Sequence, residues 1–337
     1  MAVSSPTTES RTTRKVVWLA VLIVLFIAVY SVGWYFAAEY LRKQIVTFFH
    51  GGNPSGIEAV CEDAQIAGYP FRFQLNCTRL SLDDNERGIA ANFGAVRAAA
   101  QIYNPGHIVW ELDGPAEMRS ALGVNATTNW QNLQSSLRIG FSGLSRSSLM
   151  IENVETTINT IGVQQDVKLV AEGFEQHVRQ QSADLDYATL LRNMTISING
   201  QPLTLPPISA SIDTTFAEKG GLLNPRIASQ QKLHGTRGEV RRMVVDLGQG
   251  RVATVNGPFS IGETGLISGN MSIEIEQVDG WRDVVSAAYP PAKETAENVA
   301  KVMKALSLGR DKGSADINIR DGKVMLGFIP LGEIPPL

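Results

Sequence analysis

Residues 61–82 read CEDAQIAGYPFRFQLNCTRLSL, and their alternation decides the fold class. Phe71, Phe73, Leu75 and Cys77 alternate with Arg72, Gln74 and Asn76. That is the period of a half-buried strand, whose side chains point to opposite faces in turn. Leu80 and Leu82 then resume the pattern one residue out of phase. Because a one-residue slip turns a whole apolar set to the other side of a sheet, the spacing predicts a bulge near Thr78 and Arg79.

The same period recurs downstream at Ile108, Trp110 and Leu112, at Ile208, Ala210 and Ile212, and at Met271, Ile273 and Ile275, with polar residues between them. One apolar and one polar face per strand is the mark of antiparallel pairing. Further on, GEVRRMVVDLG, RVATVNGPFSI and LISGNMSIEIEQV form a meander with a hairpin turn at residues 262–265. Pro258 places an edge or a bulge in its middle strand. The period then becomes helical through WRDVVSAA and, after the break at Tyr289, Pro290 and Pro291, through AKETAENVAKVMKALSLG. The apolar stripe expected on that second helix includes Val299, Met303 and Leu306. ADINIR and KVMLGFI close the chain as two short strands about Asp321 and Gly322. GIAANFGAVRAAAQIY reads equally as an Ala-rich helix or as strand, since Gly88, Gly94 and the turn at Asn104, Pro105 and Gly106 suit both. The fold class expected is mainly β with a few helices (α+β): an extended, curved antiparallel sheet with a helical insertion near the C-terminus.

Upstream of this body, residues 16–38 read VVWLAVLIVLFIAVYSVGWYFAA, without a charge. A helix of that length is about 35 Å long, enough to cross a hydrocarbon core of about 30 Å. Trp18 lies near one end and Tyr30, Trp34 and Tyr35 toward the other, where aromatic rings favour the headgroup layer; Arg11, Arg14 and Lys15 favour an N-terminus inside. A cleaved signal peptide has a shorter apolar core ending at small residues. This block ends in Trp34, Tyr35 and Phe36, so an uncleaved signal anchor is preferred, with Ala37 and Ala38 leaving cleavage as the alternative. The layout expected is a cytoplasmic tail at 1–15, a transmembrane signal anchor at 16–38, a juxtamembrane helix and linker at 39–56, and a β-rich periplasmic domain at 57–337. Within the linker residues 40–49 continue the helix, and the best seam in the domain is at 199–207.

The near-neutral charge does not point to a partner. With 30 Lys and Arg against 33 Asp and Glu in 337 residues, the chain lacks the basic surplus of a nucleic-acid binder. Cys61 and Cys77 are its only cysteines. On the exported side they read as a disulfide, whose closure of a short loop contributes about 3 kcal/mol in the chain-entropy model; two small buried hydrophobes are the alternative. A metal site needs more ligands than this pair.

Chemical motifs are few. Gly248, Gln249, Gly250 and Ala253 match the G-x-G-x-x-A fingerprint after a strand, but the pattern continues as strand where the fingerprint needs a helix, so a hairpin turn is read there and no nucleotide. Residues 140–143, GFSG, lack the second glycine of a nucleophile elbow. His50, His107, His177 and His234 are scattered, and Asp83, Asp84 and Glu86 suit a solvated turn. No catalytic, cofactor-binding or metal-ligating residue is expected. Arg72, on the strand tethered by the cysteine pair, is the one charged residue singled out, as a contact for a lipid phosphate or a partner carboxylate, against the plain reading of an outward strand arginine.

The cysteine pair around Gly-Tyr-Pro-Phe-Arg, the segments AQIYNPGHIVWELDGP and VVDLGQGRVATVNGPFSIGETGLISGNMSIEI, and the closing DGKVMLGFIPLGEIPPL together resemble the bacterial family known as domain of unknown function 2125. The resemblance implies a membrane-anchored, strand-rich periplasmic protein of the bacterial inner membrane, and supplies no catalytic residues. The layout is also similar to AsmA-like proteins, in which a curved periplasmic sheet is proposed to bind or conduct lipid on its apolar face; that likeness is analogy of architecture. The function expected is a noncatalytic envelope protein contacting phospholipid. The alternatives are a scaffold or assembly factor contacting other envelope proteins, and an enzyme whose site only the fold assembles.

Overall fold

The computed structural model describes residues 9–50, 57–140, 143–224, 232–308 and 310–337. Helix α1 (Glu9–His50) contains the whole uncharged block and runs on through residues 40–49 as expected. It also begins before Val16, so the last residues of the expected tail are helical; the first eight residues and the end of the expected linker, 51–56, lie outside the described residues.

The next five runs of chain are each broken in two. They are β1 (Ile57–Glu62) with β2 (Gln65–Ala67), β3 (Arg72–Cys77) with β4 (Arg79–Asp84), β5 (Ile89–Phe93) with β6 (Val96–Gln101), β7 (Asn104–Leu112) with β8 (Ala116–Ser120), and β9 (Val124–Asn129) with β10 (Asn132–Gly140). Long strands follow: β11 (Gly143–Thr160), β12 (Val163–Gln181) and β13 (Asp184–Ile198), with β14 (Gln201–Pro202) as a short flap on β13. Then come β15 (Ile208–Phe216), β16 (Thr236–Asp246), β17 (Val252–Ile261) and β18 (Ile267–Glu276). Two helices, α2 (Val278–Ala288) and α3 (Lys293–Leu306), interrupt before β19 (Lys312–Arg320), β20 (Lys323–Leu326) and β21 (Ile329–Glu333). All the strands belong to one sheet.

The pairing shows that each broken run is one bent strand. Arg72–Cys77 lies opposite Val96–Gln101 while Arg79–Asp84 lies opposite Ile89–Phe93, so the two halves of one run face the two halves of the next. Likewise β10 and β9 pair with the first and second halves of β11. Run by run, each strand pairs with its neighbour in sequence, and the molecule is an antiparallel meander from β1 to β21.

The breaks line up across the sheet as a crease. It passes through Thr78, Gly94, Pro115 and Trp130, then through Asn153 of β11 and Asn193 of β13, both skipped by the pairing and both at positive φ (51° and 47°). Asparagine tolerates that left-handed region better than most residues. Asn193 also donates its side-chain amide to the Glu172 carboxylate at 2.7 Å, and its backbone N–H to Ser209 Oγ at 3.1 Å. At the crease the apolar sets of β11 and β12 shift phase: Leu149 and Ile151 give way to Val154 and Ile158, and Phe174 to Ala171 and Leu169. One extra residue in each of these strands keeps both halves of the set on one face. The Cys61–Cys77 disulfide shows this directly, because it ties the set of Leu80 (opposite Cys61) to the set of Leu75, with Cα atoms 5.5 Å apart. The bulge expected near Thr78 and Arg79 is therefore the start of a feature that crosses half the sheet.

Several open readings resolve. GIAANFGAVRAAAQIY is strand throughout β5 and β6, not helix. Pro258 lies in a strand paired on both sides, beside a register shift, so it marks a bulge and not an edge. Gly248, Gln249 and Gly250 form the turn between β16 and β17. On α3, Met303 is fully buried and Ala300 nearly so, but Leu306 is 60% exposed; the stripe is Val299, Ala300 and Met303, because α3 ends where Leu306 would have to turn inward. The total surface is 21418 Å², against about 13,500 Å² for a compact monomer of this mass. The chain as a whole, with its exposed helix α1, is extended and not compact.

Candidate functional site: an apolar groove beside the N-terminal helix

The second half of α1 docks on the start of the sheet through aromatic residues. Trp34 stacks on Phe73 with ring centroids 5.6 Å apart and meets Tyr69 edge-on at 5.5 Å. Tyr30 Oη donates to the Pro70 carbonyl, and the Ser31 and Tyr69 hydroxyls are 2.7 Å apart. The loop that makes these contacts depends on Gly68, at φ +99°, where a Cβ would lie 2.6 Å from Arg72 Cγ and 2.7 Å from the Arg72 carbonyl oxygen. Only glycine fits there without strain. Ala38, small and 5% exposed, lets helix and sheet approach.

Beside Ala38 a groove of about 590 Å³ lies between the helix and the sheet. Ala37, Tyr40, Leu41 and Ile45 form its helical wall; Ile66, Phe73, Leu75, Ala98, Ala100 and Ile108 form its floor. The volume is within the range of small-molecule sites. Small side chains at Ala98 and Ala100, on the strand between Phe73 and Ile108, keep the floor low.

The floor leads into a longer apolar face. Ala98 lies opposite Trp110, and Ile108 opposite Leu137. From there one lateral row, Leu133, Ile151, Phe174, Leu191, Ala210, Val245, Ala253 and Ile275, is apolar on eight successively paired strands. Ile275 packs against the cluster that Val278 of α2 and Ala300 and Met303 of α3 form with Leu326 of β20. Between the two ends cover is thin: from β11 to β16, Ala171 and Leu185 are the buried apolar residues among those described.

The opposite face is polar and laced with ion pairs. Arg97 forks onto Asp113 at 2.6 and 2.8 Å, with Glu111 at 3.2 Å, and these carboxylates raise its pKa. Asp186 meets Arg179 at 2.6 Å, Arg241 at 3.2 Å and Thr215 at 2.9 Å. Burial pushes its pKa up, but the Arg179 and Thr215 hydrogen bonds and the charge of Arg241 outweigh it and hold the carboxyl below its ordinary value.

On that polar face the fold makes a contact that spacing could not show. His177 lies opposite Ser148, with Nδ1 and Oγ 3.0 Å apart, and Nε2 lies 3.8 Å from the Glu175 carboxylate. A shallow groove of about 280 Å³ runs past them. Glu175 is already held by Arg192, and paired strand backbones on either side use their amides in the ladder, so the trio has neither a free orienting acid nor a pair of oxyanion donors. The only signal for it in the sequence was strand register, which a lone Ser and His do not carry.

Cys61 and Cys77 are joined as a disulfide. Arg72 opens β3, exposed, immediately after the loop that touches α1, and its side chain has no ion pair among the described residues. Among the described residues no group of three or more His, Cys, Asp or Glu is placed to hold a metal ion. His107, His177 and His234 fall on different elements, and residues 141–142 of GFSG lie outside the described residues.

Helix α1 is long and apolar enough over residues 13–45 to cross a membrane. No curated protein and no solved structure matches the chain. The model of a family described as an uncharacterized protein conserved in bacteria matches residues 34–335, the last part of α1 from Trp34 on and the entire sheet, and the chain thus belongs to the DUF2125 family.

Proposed function

We propose that this protein is a noncatalytic, membrane-anchored component of the bacterial envelope that holds phospholipid acyl chains along its apolar sheet face. In this reading α1 spans the inner membrane with its N-terminus in the cytoplasm, and the sheet lies in the periplasm. The observation that carries it is continuity: an apolar groove begins beside the anchor helix, and an apolar row leads from it to α2 and α3 with little cover of its own. A sheet face of that kind needs a cover, and an acyl chain supplies one at about 25 cal/mol per Å² buried. Arg72 opens the strand that carries the groove residues Phe73 and Leu75, and its guanidinium suits a headgroup phosphate.

The test is photo-crosslinking of the full chain in native membranes. A photoreactive residue in place of Ile273 or Ile208, on the apolar face, should capture phospholipid identified by mass spectrometry, and one in place of His177, on the polar face, should not. Capture of a stoichiometric protein partner without lipid would transfer support to a scaffold. No lipid at either apolar position sinks the proposal.

A further inference from the structure

We infer that the sheet edge formed by the β2–β3 loop and the β6–β7 turn is immersed in the outer boundary of the bilayer that α1 crosses, with Tyr69, Phe71 and Tyr103 as its membrane-facing residues. This rests on the anchoring role of α1 and is independent of lipid capture along the sheet. A hydrocarbon core of about 30 Å needs about 20 helical residues, so a span entering at Val16 leaves near Tyr35. The sheet does not wait for that exit. Its loop touches Tyr30, Ser31 and Trp34, and Tyr30 lies five positions, about 7.5 Å, below Tyr35 along the axis. A loop at that depth is at the junction of headgroups and acyl chains, where amphipathic segments seat by about 5–10 Å.

The side chains there match the depth. Tyr69, Phe71 and Tyr103 are 48%, 71% and 75% exposed, an unusual grouping for a surface facing water. The turn bearing Tyr103 is tied to the loop by the Ile102 N–H, which donates to the Phe71 carbonyl at 3.0 Å. Tyrosine rings with polar tips favour the interface, and phenylalanine reaches deeper. Helix and aromatic loop enter together, so the sheet is fixed in tilt and its groove opens at the membrane surface.

The experiment places a photoreactive residue at four positions of the full chain, reconstituted in nanodiscs of phosphatidylethanolamine and phosphatidylglycerol. The positions are Ile23, Phe71, Tyr103 and Leu122, the last an 87% exposed apolar residue at the opposite end of the strands. Lipid adducts several-fold more abundant at 71 and 103 than at 122, with Ile23 labelled, are the expected result. Labelled Ile23 with positions 71 and 103 no better than 122 overturns the immersion while leaving the anchor intact. Unlabelled Ile23 overturns the anchor, and the immersion with it.

Discussion

The two ends of the meander differ from its middle in one respect, cover, although all three are built from the same alternating strands. At the C-terminal end Met271, Ile317 and Ile319 form a buried cluster, and α2 and α3 close over Ile275, Ala315 and Leu326 through Val278, Ala300 and Met303. At the N-terminal end α1 supplies the cover through Trp34 and Ala38. Across β11 to β16 the apolar row continues, yet it stays half-buried and is held chiefly by strand pairing. Alternation alone therefore makes a sheet; a second layer makes a core.

The sharpest way to break that comparison is a truncation in each region. Met303→Ala should cost about 2–5 kcal/mol, since the side chain is fully buried and leaves a cavity against β19. Leu191→Ala, in the uncovered row, should cost clearly less in the same denaturant titration, and equal losses would show the middle to be a packed core. Next in size, Cys61→Ser with Cys77→Ser should cost about 3 kcal/mol, the two residues being 16 apart in sequence. Hydrogen exchange should localise that loss to β1–β4, and uniform deprotection of the whole sheet would contradict the independence of the ends.

Asp186 tests what pairing contributes in the middle. Its pKa is lowered in the folded protein, so the stability it adds is fully present above the ordinary carboxylate value, near pH 4, and is lost as pH falls through the lower folded value. Asp186→Asn should be less stable at pH 7 by about 1–2 kcal/mol, with the gap to the unmodified protein closing only below about pH 4. A gap independent of pH would mean that the carboxylate charge is not what holds Arg179 and Arg241. The smallest effect belongs to the crease. Asn193→Ala should cost about 1 kcal/mol by placing a β-carbon at positive φ and removing the bond to Glu172, whereas Asn193→Gly should restore most of it in thermal melts.

Much of the fold was legible because its signals are local. The uncharged block at 16–38, the alternation at 73–77, the phase shift after Cys77 and the turn at 262–265 each depend on neighbours a few residues away, whereas Phe71, which fits the same alternation, stands in the turn before β3 and is 71% exposed. The strand or helix choice for GIAANFGAVRAAAQIY was not legible, since alanine suits both and only pairing of β5 with β4 and β8, and of β6 with β3 and β7, decides it. Leu306 fits the helical period and still faces solvent, because where a helix ends relative to its sheet is a tertiary matter.

The candidate site divides in the same way. Sequence by itself determined that an apolar helix precedes a two-faced sheet, that Cys61 and Cys77 are the only cysteines and lie 16 apart, and that Arg72 falls between them. Tertiary structure alone decided that one phase shift is a crease across many strands, that eight apolar positions from Leu133 to Ile275 fall in a row, and that a loop meets α1 at Tyr30. The reason is physical: period is set by backbone geometry within a few residues, whereas rows, cover and depth arise from register between segments brought together only by hydrogen bonding and packing.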